Sequence, residues 1–162
     1  MFVYKTRACY NLINTKGDFI TMATFRDVYQ QYVNHSHAQR VSVAQKAAAN
    51  VLGALKDGGI DDDVTFNFLT NLIKLFVSAD RNCTEGECRL FNDVMGTSLT
   101  FEQFYNLTNG GSDPAFIQMM DELIDTLPDD IKVDVCTFGL TILAADDTIT
   151  GAEQALFEKI LG

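Results

Sequence analysis

A stretch of 21 residues decides the fold, because the chain carries it twice in related form. Residues 76–96 read FVSADRNCTEGECRLFNDVMG, and residues 142–162 read ILAADDTITGAEQALFEKILG. Seven aligned positions are identical at a constant offset of 66, without a gap. Self-similarity at a fixed offset indicates a duplicated supersecondary unit. Each copy predicts an apolar helix that ends in Ala-Asp, then a short polar loop and a second, amphipathic helix.

The rest of the chain has the composition of a helical globular domain. Of its 162 residues, 47% are hydrophobic, 21% are charged and only two are proline. We therefore predict an all-α bundle of about seven helices, with an internal duplication around two buried central helices. These central helices are predicted at 66–79 and 131–145, where apolar residues cover nearly all sides of each helix, as is usual for a buried helix.

Residues 1–21 fit this helical pattern poorly. Their composition favours extended structure, and we predict an N-terminal arm of uncertain structure followed by a single helical domain at 22–162. Met22 begins the helical pattern, so it is an alternative to Met1 as the start of translation.

Charge is distributed very unevenly along the chain. Residues 1–56 carry seven basic and two acidic side chains, a net charge of +5, whereas residues 57–162 carry five basic and 20 acidic ones, a net charge of −15. Such an acidic surface repels the phosphate backbone of DNA and RNA, so the sequence argues against nucleic acid as a ligand. It favours metal cations or a basic protein partner instead. No apolar run approaches the roughly 20 residues that a membrane-spanning helix needs.

A structural role explains part of the repeated motif. Thr84 and Glu87 in the first copy, and Thr150 and Glu153 in the second, have the spacing of a capping box. In that motif the Thr side chain accepts the backbone N–H three residues on, and the Glu side chain accepts the N–H of the Thr. We predict this capping role for all four residues, and it leaves room for a second role.

Capping does not explain the aspartates at the ends of the two central helices. Asp80 and Asp146 lie where the helix dipole is negative and disfavours a carboxylate by about 0.3–1 kcal/mol. One interpretation is structural: each side chain turns over its loop and accepts N–H groups from the next turn. The other is a cation held by these oxygens, for which Ca²⁺, Mg²⁺ or Mn²⁺ would be suitable.

The doubled motif resembles the TerB-like family of tellurite-resistance proteins. Its pattern is Ala-Asp-Gly, a hydrophobic residue, Ser or Thr, and Glu three positions later; this chain has Arg81 and Asp147 in place of the Gly. The resemblance covers about residues 41–162 and implies a compact helical bundle that binds a divalent metal, with no organic cofactor. Carried over by position, the metal ligands are Asp80, Glu87, Asp146 and Glu153. The resemblance also implies a non-enzymatic, cytoplasmic stress-response protein that acts as a scaffold, peripheral to the inner membrane face and with a membrane-associated protein partner.

Two further hypotheses concern the cysteines and the acidic surface. Four cysteines without a CxxC pair indicate reduced thiols in a cytoplasmic protein. Cys83 and Cys88 flank the start of a predicted helix, a position that lowers thiol pKa, so a redox role is one hypothesis for this pair. As an alternative to metal binding, the protein would be a helical interaction domain that docks a basic partner through its acidic surface. The sequence contains no arrangement of nucleophile and base that indicates an enzyme.

Overall fold

The computed structural model describes residues 25–79 and 81–161, in which every secondary-structure element is a helix or a helical turn. The predicted arm at 1–21, the choice between Met1 and Met22, and Asp80 all lie outside the described residues. The described part has eight α-helices, where the sequence predicted about seven, and one 3₁₀ turn. They are α1 (Phe25–Asn34), α2 (His37–Asp57), α3 (Asp62–Val77), α4 (Glu85–Met95), α5 (Phe101–Thr108), α6 (Pro114–Asp125), α7 (Asp129–Leu143), the 3₁₀ turn (Ala144–Asp146) and α8 (Gly151–Leu161).

Helix α7 forms the centre of the bundle and packs against α1, α2, α3, α4 and α8. From Val135 to Leu143 only Thr137 is not fully buried. The facing side of α2 carries small residues at Ala44, Ala47 and Ala48, which are all buried. Short side chains let two helix backbones approach closely, so the α2–α7 pair forms the most extensive contact in the structure.

Helix α3 is the second predicted central helix, and it is buried along most of its length. Its buried residues run from Thr65 to Val77. Phe76 stacks on Phe157 of α8, with ring centroids 4.8 Å apart. A Cβ built at Gly139 of α7 would lie 2.5 Å from the Phe76 ring, so only glycine fits at that position.

Helix starts follow the capping signals in the sequence. The apolar pattern of the sequence predicts a helix from about Val41 to Lys56, whereas α2 begins four residues earlier, at His37. The reason is that Ser36 accepts the backbone N–H of Gln39 and forms a capping box with it. Asp61 caps α3 by accepting the N–H of Val64, and two further aspartates fill the first turn, where the helix dipole stabilises negative charge.

Candidate functional site

The two repeated loops share one backbone feature, a left-handed residue at equivalent positions. Arg81 and Asp147 occupy equivalent positions and both adopt the left-handed conformation, with φ of 61°. Each donates its N–H to the carbonyl three residues earlier, Arg81 to Ser78 at 3.2 Å and Asp147 to Ala144 at 3.3 Å. This turn is the one for which glycine is normally selected. Both copies therefore hold a charged residue in a backbone conformation that disfavours it.

Both predicted capping boxes are confirmed. The Thr84 N–H donates to Glu87 Oε2 at 2.8 Å, and the Thr150 N–H donates to Glu153 Oε2 at 2.7 Å. In return, the Thr84 and Thr150 hydroxyl oxygens accept the N–H of Glu87 and Glu153, at 3.2 and 3.3 Å. Each Glu thus uses one carboxylate oxygen to begin its own helix.

The fold brings the start of α4 against the 3₁₀ turn that ends α7. The closest approach is at Gly86, where a built Cβ would lie 3.1 Å from the backbone oxygen of Ala145. Glu87 therefore faces the loop of the other copy, which contains Asp146. Two carboxylates that are 59 residues apart in the chain become neighbours through this helix-to-turn contact.

Glu87 is the most unusual side chain of the site. It is fully buried, yet its Oε1 atom has no hydrogen-bond partner in the part of the chain that the structure describes. The pKa of the Glu87 carboxyl is raised to about 8, mainly by burial and additionally by the negative charges of Asp146 and Glu153. The hydrogen bonds from Thr84 act in the opposite direction. A buried carboxylate oxygen without a donor is rare because its desolvation is uncompensated.

Asp146 and Glu153 contribute the other two carboxylates. Asp146 Oδ1 accepts the Thr148 N–H at 3.1 Å and the Thr148 hydroxyl at 3.2 Å, which is the loop-capping interaction that the sequence predicted as one of two alternatives. Glu153 is 2% exposed and also accepts the Thr150 hydroxyl at 3.0 Å. Glu87, Asp146 and Glu153, three of the four predicted ligands, therefore lie near one another. The negative charges of Asp146 and Glu153 disfavour ionisation of Glu87.

Two residues that sequence reasoning missed border this region. The Tyr29 hydroxyl of α1 donates to the backbone oxygen of Thr148. The pKa of Tyr29 is raised well above its ordinary value, first by burial and then by Asp146, Glu153 and Asp147. Nothing local in the sequence signals this contact, since Tyr29 and Thr148 are 119 residues apart.

Arg40 is the second such residue, and it links the second loop to the C-terminal end of α1. Its Nη2 donates to the Val33 carbonyl at 2.6 Å and to Asp147 Oδ1 at 3.3 Å, and its Nε donates to the Tyr32 carbonyl at 3.1 Å. The guanidinium is largely buried, with 13% of the side chain exposed. It compensates part of the negative charge of the site, and it lowers the pKa of Tyr29.

A preformed metal cage is not present among the residues that the structure describes. No group of three or more His, Cys, Asp or Glu side chains there has a geometry that could hold a metal ion. The predicted ligand Asp80 lies outside the described residues. Glu87, Asp146 and Glu153 are near one another, but each is engaged in capping interactions, so a cation would require these side chains to reorient.

The thiol pKa is raised at both cysteines of the redox hypothesis. Burial raises the pKa of Cys83 to about 11, and burial together with the negative charge of Glu85 raises the pKa of Cys88. Cys88 Sγ lies 3.7 Å from the Leu99 carbonyl oxygen. Neither cysteine forms a disulfide. The expected lowering of pKa at a helix start is outweighed here by desolvation.

The described residues contain no helix that is long and apolar enough to cross a membrane. In comparisons with known proteins, no family model, curated protein or solved structure matches the chain.

Proposed function

We propose that the protein binds a divalent cation between its two repeated loops. The observation that carries the proposal is the buried Oε1 of Glu87, which has no donor among the described residues and lies near Asp146 and Glu153. A hard cation such as Ca²⁺, Mg²⁺ or Mn²⁺ would supply the missing positive charge to these oxygens. Asp80, equivalent to Asp146 in the first copy, is the fourth proposed ligand.

The electrostatics support binding of a cation in exchange for a proton. With a pKa of about 8, Glu87 is mostly protonated at neutral pH. A cation binds carboxylates in their ionised form, so metal binding would displace this proton and would strengthen as the pH rises. The net charge of −15 over residues 57–162 would attract cations to the site from solution.

We propose binding rather than catalysis as the role of this site. Glu87 and Glu153 are almost completely inaccessible, so a bare ion fits there more readily than an organic substrate. One oxygen of each is already used to cap its helix. A cation that bridges the loops would therefore act on the conformation and stability of the bundle.

The cellular role that we propose follows from the TerB-like motif and its duplication. The equal left-handed turns at Arg81 and Asp147 and the two matching capping boxes support a common origin of the halves. We infer a cytoplasmic stress-response protein in metal or oxyanion stress, with a membrane-associated partner. The alternative remains a helical interaction domain that docks a basic partner through exposed carboxylates, such as Asp61, Asp62 and Asp63, without a metal.

The test is calorimetric titration of the chelator-treated full chain with Ca²⁺, Mg²⁺ and Mn²⁺ at pH 7.5. We expect saturable binding with proton release, measured as a dependence of the heat on the ionisation enthalpy of the buffer. Glu87→Gln and Asp146→Asn are expected to weaken binding by at least about tenfold. Glu85→Gln is the matched control, because Glu85 lies in the same first turn but is exposed.

Two results would decide against the cation. Absence of binding heat with all three ions, or equal binding by Glu87→Gln and the unaltered chain, would remove the proposal. Capture of a basic partner that is unaffected by Asp146→Asn but lost when Asp61, Asp62 and Asp63 are neutralised would then support the interaction domain.

A further inference from the structure

A cavity borders the first loop and differs in chemical character from the carboxylate site. It has a volume of about 190 Å³ and lies between the C-terminal end of α3 and the turn that follows α5. Its polar lining includes Arg81, Tyr105, Asn109 and Ser112. Among the described residues, no carboxylate lines this cavity, although this half of the chain is strongly acidic.

Arg81 provides the positive charge of the cavity. Its side chain is exposed, and no described residue forms a salt bridge or side-chain hydrogen bond with it. The equivalent residue of the second loop, Asp147, has the same left-handed backbone but is paired with Arg40. A non-glycine residue in this conformation is strained, and such strain is concentrated at functional sites. Among the described residues, the charge of Arg81 is therefore not paired, in contrast to that of Asp147.

The Lys74 side chain places a second positive charge next to the cavity, beside Gly110. A Cβ built at Gly110 would lie 3.6 Å from Lys74 Nζ, so the ammonium group lies beside this glycine. The same Nζ lies 4.6 Å from the centroid of the Phe116 ring. This cation–π contact holds the Lys74 ammonium against the turn without neutralising it.

The nearest described carboxylate in the turn is directed elsewhere. Asp113 Oδ1 accepts the N–H groups of Ala115 and Phe116, at 2.9 and 3.1 Å, and so caps α6. Besides the Cys83 thiol, the polar side-chain groups that line the cavity are a guanidinium, hydroxyls and an amide, all of which can donate hydrogen bonds.

We propose that this cavity binds a small oxyanion. The Arg81 guanidinium would bind two of its oxygens in a bidentate manner, as it does with phosphate and carboxylate groups. Tyr105, Asn109 and Ser112 would donate further hydrogen bonds, and Lys74 would add long-range attraction. The proposal is independent of the cation site, because it uses none of the carboxylates of that site.

The experiment is an NMR titration of the ¹⁵N-labelled full chain with sodium phosphate, in which sodium chloride keeps the ionic strength constant. We expect saturable shifts of the amide signals of Arg81 and residues 109–112. Arg81→Gln should weaken binding by about tenfold or more, since a charge-assisted contact is lost. Arg81→Gly is a second variant, which removes the charge and accommodates the left-handed turn. Arg89→Gln removes an exposed arginine of α4 and should bind phosphate as the unaltered chain does.

Two results would overturn the oxyanion site. One is a chemical-shift change that stays linear up to about 10 mM phosphate, because the affinity would then be too weak for a specific site. The other is equal binding by the unaltered chain, Arg81→Gln and Arg81→Gly. A parallel titration with sodium acetate identifies the anion class: saturation by phosphate alone supports a tetrahedral oxyanion, and saturation by acetate supports a carboxylate.

Discussion

Replacing Glu87 by Gln should change how the stability of the protein depends on pH. The substitution preserves the shape of the side chain, and the amide oxygen of Gln can still accept the Thr84 N–H that begins α4. It removes the titratable proton from a fully buried position. The variant is therefore expected to fold and to differ from the unaltered chain mainly in the ionisation of one group.

The sign of the effect follows from the direction of the pKa shift. The pKa of Glu87 is raised from 4.5 to about 8, so between these values the folded chain binds more protons than the unfolded chain. The contribution of Glu87 to stability is complete below about pH 4.5 and is lost as the pH rises through 8. At 1.36 kcal/mol per pKa unit, the loss between pH 5 and pH 8 is about 3–4 kcal/mol.

The assay is urea unfolding of both chains, without added metal, at pH 5, 6, 7 and 8. We expect the free energy of unfolding of Glu87→Gln, minus that of the unaltered chain, to increase by about 3–4 kcal/mol from pH 5 to pH 8. Glu85→Gln is the control, because an exposed side chain in the same turn should differ by no more than about 0.5 kcal/mol at any pH. If the curves for Glu87→Gln and the unaltered chain run parallel from pH 5 to pH 8, our account of the buried carboxyl is wrong.

Three further predictions concern backbone strain, packing and thiol chemistry. Arg81→Gly should raise the free energy of unfolding by about 0.5–1 kcal/mol, because relief of the left-handed strain exceeds the entropy cost of glycine. The measurement is chemical denaturation, and a lower free energy of unfolding for the variant would show that the turn is unstrained. Gly139→Ala should lower the free energy of unfolding by about 1–3 kcal/mol, since the new Cβ would collide with Phe76. Gly53→Ala, at an exposed position with open space around it, should raise the free energy of unfolding by about 0.5–1 kcal/mol. Equal effects of the two alanines would contradict this packing. Cys83, with a pKa of about 11, should react with iodoacetamide at pH 7.5 at least about tenfold more slowly than free cysteine. The reaction rate should rise toward pH 11. A rate at pH 7.5 equal to that of free cysteine would instead support the redox hypothesis.

Local patterns were sufficient to predict the helical class and the starts of α4 and α8. The capping boxes at Thr84 and Thr150 depend on groups within three residues, so their geometry can be inferred from spacing alone. The apolar character of α3 and α7 likewise indicated buried helices, because a helix without a polar face has to be covered on all sides. The start of α2 was misplaced, because the Ser36–Gln39 capping box lies outside the apolar pattern.

The sequence by itself determined the capping positions and marked the candidate carboxylates, since the repeat has Asp and Glu at the same positions in both copies. It did not determine their protonation, which depends on burial and on neighbours that are distant in the chain. The pKa of Glu87 is set by its enclosure and by Asp146 and Glu153, and the thiol pKa of Cys83 is raised although its position at a helix start predicts the opposite. Only the tertiary structure decides these properties, because desolvation and Coulomb interactions depend on distances through space.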